Sequence, residues 1–411
     1  MNAKKMAGLV FLPVLVLSAV LAARCFGPPE KEPEKTELLI SVMRESGLDG
    51  DDFAPLIEEY AELHPKLLIN TETRSFEELL RPRPDPAGGT APGDVLILDG
   101  RYLRDFIDSE ALFSLEDYHP SDSPLERWAL PLNASIDLLF YNTDLLKKAG
   151  FDRPPGTRAD YLRYARALRD MRGNTGVYGG ALGLSPDDGR GVYRDILSWI
   201  WASGIPLSRD GALDFNGRAL NGALDFLAAL EKEKLLAPGS FEKTGEQRIG
   251  EFVEGKIGMM IGSVRDIPRL RERMGENSFG VTRIPEPEDY PGKPVFGLWV
   301  WYGAVFRQSA RREAAGNFLL FLRERGPALT GQLKTVPGHA ETASVRPEDP
   351  LYAKIWDMYE GADLARELLG FPGEAVLEDA LRRELELMFR ENRGAAETAL
   401  AVQRRWDQWK P

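Results

Sequence analysis

The sequence predicts an α/β protein with a largely parallel sheet, and three observations carry the prediction. Short apolar runs of strand length alternate with apolar residues at helical spacing. Loops rich in Gly, Pro and Asp separate them. The chain has 411 residues, 43% hydrophobic and 28% charged, which suits two or three compact units and excludes a disordered or fibrous chain.

The elements follow in order. Leu38 to Val42 is the first strand. Phe53, Leu56, Ile57 and Tyr60 then share a helical face behind Asp51 and Asp52, which are expected to cap the helix, and His64-Pro65 stops it. Leu67 to Thr71 and Asp94 to Asp99 are further strands. Ile136 to Phe140 reads as another, after which Asn142 or Thr143 can cap a short helix ending at Gly150. Pro154-Pro155 breaks the pattern before a helix over Arg158 to Asp170. Thr244 and Gln247 form a capping box in front of Ile249, Phe252 and Val253. Strand patterns recur at Gly255 to Gly262, Phe279 to Ile284 and Leu298 to Phe306, and an amphipathic helix with Phe318, Phe321 and Leu322 follows. From Leu351 to Trp409 the pattern is almost wholly helical. No internal repeat is present.

The N-terminus has a different character. Lys4 and Lys5 precede an apolar run from Met6 to Ala23 that ends in Ala22-Ala23-Arg24-Cys25, the layout of a secretory signal. It resembles the bacterial lipoprotein signal, which implies lipidation of Cys25, although Arg24 stands where that signal has Gly, Ala or Ser. An uncleaved anchor helix is the alternative, with Gly8 and Pro13 inside it. Either way the bulk of the chain is expected outside the cytoplasmic membrane. Removing residues 1–24 takes away three positive charges and no negative ones, which carries the formal charge from −12 to −15. The Pro-rich residues 25–35 have little to bury and read as a tether.

Composition and motifs narrow the function. An acidic chain without a long Lys/Arg block is a poor match for nucleic acid. With only His64, His119, His339 and Cys25, no zinc, haem or iron–sulfur ligand set can be assembled, and no cofactor is expected. Gly-x-Ser-x-Gly, Walker, Gly-x-Gly-x-x-Gly and His-Glu-x-x-His motifs are all absent. Carboxylates are plentiful, but sequence cannot place two across a cleft as a glycosidase pair.

Several segments carry a resemblance. Leu56-Ile-Glu-Glu-Tyr-Ala-Glu-Leu-His-Pro65 and Gly93-Asp-Val-Leu-Ile-Leu-Asp99, with Leu112 to Tyr118 after it, resemble the early motifs of extracytoplasmic solute-binding proteins of family 1, the maltose-binding-protein-like type. Leu130-Pro131 followed by Leu139-Phe-Tyr-Asn-Thr-Asp144 and Gly150 to Thr157 is similar to the most specific of them. Phe252 to Ser263 and Val336-Pro337 continue the match in family order, while Gly93 and Val264 depart from it.

The resemblance implies a two-lobed periplasmic-binding-protein fold of type II, with a ligand cleft between lobes and three crossings, near Pro131 to Ser135, Gly297 to Trp301 and Val336 to Pro337. Lobe 1 would comprise residues 36–132 and 300–336, and lobe 2 residues 133–299 and the helical 337–411. The implied protein is a monomeric, lipid-anchored receptor at the periplasm or outer face of the cytoplasmic membrane. It would pass a carbohydrate or related polyol to an ABC transporter permease, with no bond made or broken. A secreted carbohydrate-active hydrolase and a surface structural or adhesin lipoprotein are the other classes left open.

A sugar offers apolar faces and a rim of hydroxyls, so flat rings and forked or carboxylate partners suit it. Trp299 and Trp301 are two apart in a strand and share a face at a crossing, a stacking platform or an ordinary pair of sheet tryptophans. Trp199 and Trp201, if helical, point about 200° apart, so at most one faces the cleft; Trp199 is the candidate. Loops after strands supply Arg44, Glu45, Asp99, Arg101, Ser263 and Arg265, and the first crossing supplies Asn133 and Ser135. The arginines in this set point to an anionic or phosphorylated solute as readily as to a neutral one.

Overall fold

A computed structural model describes residues 36–81, 92–171, 177–187, 190–209, 212–215, 217–288, 290–338, 346–366 and 373–409. The expected signal, Cys25 and tether therefore lie outside the described residues, as does His339. Among the described residues no helix is long and apolar enough to cross a membrane.

Among the described residues are eleven strands and fourteen α-helices. The strands are β1 (Thr36–Met43), β2 (Leu67–Arg74), β3 (Val95–Asp99), β4 (Ala129–Asn142), β5 (Ser208–Arg209), β6 (Ala212–Leu213), β7 (Met259–Ser263), β8 (Phe279–Thr282), β9 (Val295–Val305), β10 (Val336–Pro337) and β11 (Asp363–Ala365). The helices before β7 are α1 (Ala54–Leu63), α2 (Phe76–Leu80), α3 (Leu103–Asp108), α4 (Thr143–Lys148), α5 (Arg158–Asp170), α6 (Ser198–Trp201), α7 (Arg218–Lys232) and α8 (Gly245–Val253). After it come α9 (Ile267–Met274), α10 (Arg312–Glu324), α11 (Gly326–Leu333), α12 (Pro350–Glu360), α13 (Glu374–Glu391) and α14 (Ala395–Trp409).

The main sheet runs β10-β4-β9-β3-β1-β2, with β7 and β8 on β4 and β11 on β9. Only β1 with β2, β1 with β3 and β11 with β9 pair in parallel. The expectation of a largely parallel sheet is thus corrected to a mixed one. Its cause is β4 and β9, long strands that pair antiparallel with each other and with β3, β7, β8 and β10. The first half of β4 lies on β9, and the second half, from Asp137, lies between β7 and β8. Pro131 has no N–H to give the ladder, and the register shifts between Pro131 and Asn133.

Local signals act where the sequence places them, with one exception. Asn142 accepts from the Leu145 N–H at 3.0 Å to start α4, and Thr244 and Gln247 form the reciprocal box of α8. Asp51 and Asp52 do not cap α1; they sit in a preceding 3₁₀ turn, where the Asp52 carboxylate accepts from the Asp49 N–H at 3.0 Å.

Alternation divides the core. Leu130 and Leu132 of β4 pack with Leu38, Ile40, Tyr60 and Phe318 between the parallel strands and helices α1 and α10. Ile136, Leu138 and Phe140 face Phe252, Met260 and Ile267, while Leu139 faces the cluster of Tyr161, Trp199 and Leu227. The pair α13 and α14 closes that cluster with Leu381, Met388, Val402 and Trp406, whose ring meets Phe215 edge-on at 6.0 Å. Each buried Leu or Ile contributes about 1.5–3 kcal/mol relative to exposure.

Gly297 of β9 is one place where only hydrogen fits, since a Cβ there would lie 2.1 Å from the Trp201 ring. Gly297→Ala is expected to lower stability by about 1–3 kcal/mol, measured as a fall in urea midpoint at unchanged slope. A wild-type midpoint would show that the Trp201 ring is free to yield.

Candidate functional site

Strand register brings most of the chemistry-bearing residues to one place. Asp99, Trp301, Asn133 and Pro337 stand in one row across β3, β9, β4 and β10, and Ser135 stands opposite Trp299. Asp137 faces Ser263 at the end of β7. The turn after β1, Arg44 to Gly47, projects over this row; Gly47 takes φ +68°, which Gly adopts without strain.

Above the row is a cavity of about 510 Å³. Five arginines, Arg44, Arg101, Arg190, Arg194 and Arg269, line it with the carboxylates Glu45, Asp187 and Glu246 and the start of α8. Of the residues read from the sequence, Arg44, Glu45 and Arg101 form its wall. Asp99 lies behind the wall. It accepts from Arg101 Nε at 3.1 Å and Nη2 at 3.1 Å, and from Arg190 Nη2 at 2.9 Å. Burial pushes the Asp99 carboxyl up, but the Arg101 and Arg190 guanidiniums outweigh it and hold the group below the usual carboxylate range. Burial in turn lowers Arg190, with Asp99 opposing and Arg101 and Arg194 adding to the fall.

Asn133, Ser135 and Ser263 are buried and do not line the cavity. Asn133 binds α11, donating to Thr330 Oγ1 at 3.0 Å and accepting from Thr335. Ser135 and Ser263 join through their hydroxyls at 2.8 Å.

The tryptophans require two corrections. Trp299 and Trp301 do share the face of β9 turned to the site, but they are 8% and 1% exposed and form no open platform. Trp299 Nε1 donates to Asp137 Oδ2 at 2.8 Å, and Trp301 Nε1 to the Ser46 carbonyl at 2.9 Å. The guanidinium carbons of Arg190 and Arg265 lie 5.7 and 5.6 Å from the Trp301 ring, in cation–π range. Arg101 lies 5.9 Å from Trp299. Trp199 is not at the site at all: it packs against Tyr161 at 5.4 Å and Phe226 at 4.6 Å in the helical core. Trp201, its counterpart on the other side of α6, is the one that meets Trp299, at 5.9 Å.

Arg190, Arg194 and Asp137 were not read from the sequence. Arg194 Nε donates to Asp137 Oδ1 at 3.2 Å, so one carboxylate holds both an arginine and Trp299. The available signal was the four-residue spacing of Arg190 and Arg194, which puts two cations on one helical face.

Comparison with known proteins gives the family. Residues 46–326 match the model of the Bacterial extracellular solute-binding protein family, and the chain belongs to that family. A binding protein of Brucella abortus is 24% identical over 314 residues, which cover 70% of this chain and 72% of that one. The sn-glycerol-3-phosphate-binding periplasmic protein UgpB of Shigella dysenteriae is 25% identical over 286 residues, 65% of this chain and 61% of that one. Among solved structures, the GacH receptor of Streptomyces glaucescens has a TM-score of 0.72 at 19% identity, covering 91% of this chain and 98% of that one. The sugar-binding protein MalE of Xanthomonas citri has a TM-score of 0.70 at 18% identity, covering 91% and 97%. The fold is the two-lobed one of periplasmic binding proteins, and the chain is an extracellular solute-binding protein.

Asp99 has a lower pKa folded than unfolded. Its contribution is therefore complete above the unfolded value of about 3.9 and is lost as pH falls through the lower folded value. Asp99→Asn is expected to lower the unfolding free energy by about 3–5 kcal/mol at pH 7, with the gap from wild type narrowing below about pH 4. Urea titrations at pH 7 and at about pH 3 measure both; a gap of equal size at the two would assign the loss to packing, not charge.

Proposed function

We propose that the protein is the lipid-anchored receptor of an ABC importer, and that it collects a carbohydrate or related polyol by closing its lobes around it. The carrying observation is the wall of the cavity, which holds both guanidinium donors and the carboxylate acceptors Glu45, Asp187 and Glu246. Each hydroxyl of a polyol both donates and accepts, so a wall that holds donors and acceptors together suits it. Five arginines against three carboxylates extend the range to polyols bearing a phosphate or carboxylate. The names of the relatives span the same range, from sn-glycerol 3-phosphate for UgpB to sugars for MalE.

The lobes we assign are residues 36–132 with 300–336, and residues 133–299 with 337–411. The adjacent pairing of β10, β4 and β9 at Asn133, Trp301 and Pro337 supports crossings at these points. Few backbone angles then need to change for closure. The solute binds the closed form better and shifts the population by that difference, leaving a closed complex for the permease. Cys25 carries the lipid that keeps the receptor at the membrane, with residues 25–35 as its tether.

A thermal-shift panel of mono- and oligosaccharides, glycerophosphodiesters, sugar phosphates and uronates tests the reading on protein freed of co-purified solute. A cognate solute at a hundredfold its Kd stabilises by about 2.7 kcal/mol; silence across the panel, with no solute found by mass spectrometry of freshly purified protein, would refute it. Arg44 lines the cavity with a side chain 61% exposed, and its ion pair with Glu78 is long, at 3.9 Å. Arg44→Ala is expected to weaken solute binding roughly tenfold, about 1.4 kcal/mol, and to leave the solute-free melting temperature within a degree or so, because an exposed pair adds little stability. Calorimetric titration measures the first and a melting scan the second.

A further inference from the structure

The turn after β1 is gripped by donors that come from the far end of the chain's path. Trp301 Nε1 and Arg190 Nη2 both donate to the Ser46 carbonyl, and Arg265 Nη1 donates to the Gly47 carbonyl at 2.8 Å. Arg265 Nη2 also reaches both oxygens of Asp52 at 3.3 Å, and Arg190 reaches Asp99 at 2.9 Å. Ser46, Gly47, Asp52 and Asp99 extend from the parallel strands β1 and β3, whereas Arg265 follows β7 and Arg190 precedes α6. The two arginines thus reach across the cleft and bind the opposite lobe directly.

We propose that Arg190 and Arg265 form a clasp that holds the lobes together in the solute-free protein, so that closure is set partly by the chain itself. This rests on the two-lobed closure described above. The chemistry suits a clasp better than a static core contact. A carbonyl at a turn is a neutral acceptor that water can replace, and the Arg265 and Asp52 side chains are each 23% exposed. Such a pair is held by attraction in partial solvent and released at modest expense, unlike the fully buried Arg248 and Asp195 pair elsewhere in the chain, where both side chains are 1% exposed. Gly47 shapes the acceptor side, because its φ of +68° is a backbone conformation that side chains resist. A receptor closed in advance gains apparent affinity in proportion to the competent fraction.

Small-angle scattering of the solute-free protein tests this without any solute. Wild-type protein at low ionic strength is expected to have the radius of gyration of the closed structure, and Arg265→Ala and Asp52→Asn a larger one. Asp52→Asn keeps the side-chain shape and lies outside the cavity wall, so melting scans of the same samples should report a folded protein. Raising salt to about 0.5 M, where screening acts within a few ångströms, should expand the wild type and leave both variants unchanged. An open wild type at low salt, or variants as compact as the wild type, would overturn the clasp. Absence of any solute response in the thermal panel would instead refute the receptor reading and leave this result standing.

Discussion

The antiparallel pairing of β4 with β9 is the constraint on which the site depends. A strand alternates its side chains, so fixing Asn133 opposite Trp301 also fixes Ser135 opposite Trp299 and leaves Asp137 to meet Ser263 on β7. One residue of slip would turn Trp299, Trp301 and Asp137 to the other face. Burial on both sides makes that slip costly: every residue of β4 except Tyr141, and every residue of β9 except Val295, is buried. The register is thus specified by the core, and the polar residues at the crossing inherit their positions from it.

Charge at this crossing could not stand alone. Asp99 and Asp137 are buried carboxylates, and each would be strongly penalised without a partner. Asp99 takes Arg101 and Arg190, and Asp137 takes Arg194 and the Trp299 N–H. The arrangement also works in reverse, since the carboxylates orient the guanidiniums that face the cavity. A forked donor held from behind loses less freedom when it binds a hydroxyl or an anion in front. The same ion pairs therefore stabilise the crossing and position the guanidiniums at the cavity.

How much of this was legible in the sequence depends on range. Strands marked by apolar runs and helices marked by caps were readable, because Leu38 to Val42, Thr244 with Gln247 and Asn142 act within a few residues. Sheet polarity was not, because Asp99 meets Trp301 some two hundred positions away and no local pattern states the direction of that pairing. The same divide runs through the site. Arg44, Glu45 and Arg101, read by the rule that α/β sheets present ligands after strands, line the cavity. Arg190 and Arg194 were missed because they enter from a loop and helix that follow no such strand. For Trp199 and Trp201, helical spacing set them on opposite sides, and only the packing of Trp201 on Trp299 decides which one turns toward the crossing.

The buried indoles alter what the site can recognise. An exposed Trp301 would offer an apolar plane to a sugar ring, and recognition would rest on stacking. With Trp301 covered by Arg190 and Arg265, and its N–H on the Ser46 carbonyl, the ring acts on the guanidiniums instead, holding their planes by cation–π attraction. The cavity wall is then polar and directional, made of forked N–H donors and carboxylates. Such a surface reads the pattern of hydroxyls and charges more sharply than the breadth of an apolar face, because a buried donor left without its partner is penalised more than a missing methylene. The buried ion pairs of Arg101, Arg190 and Arg194 therefore serve both the stability of this crossing and the polar character of the cavity they line.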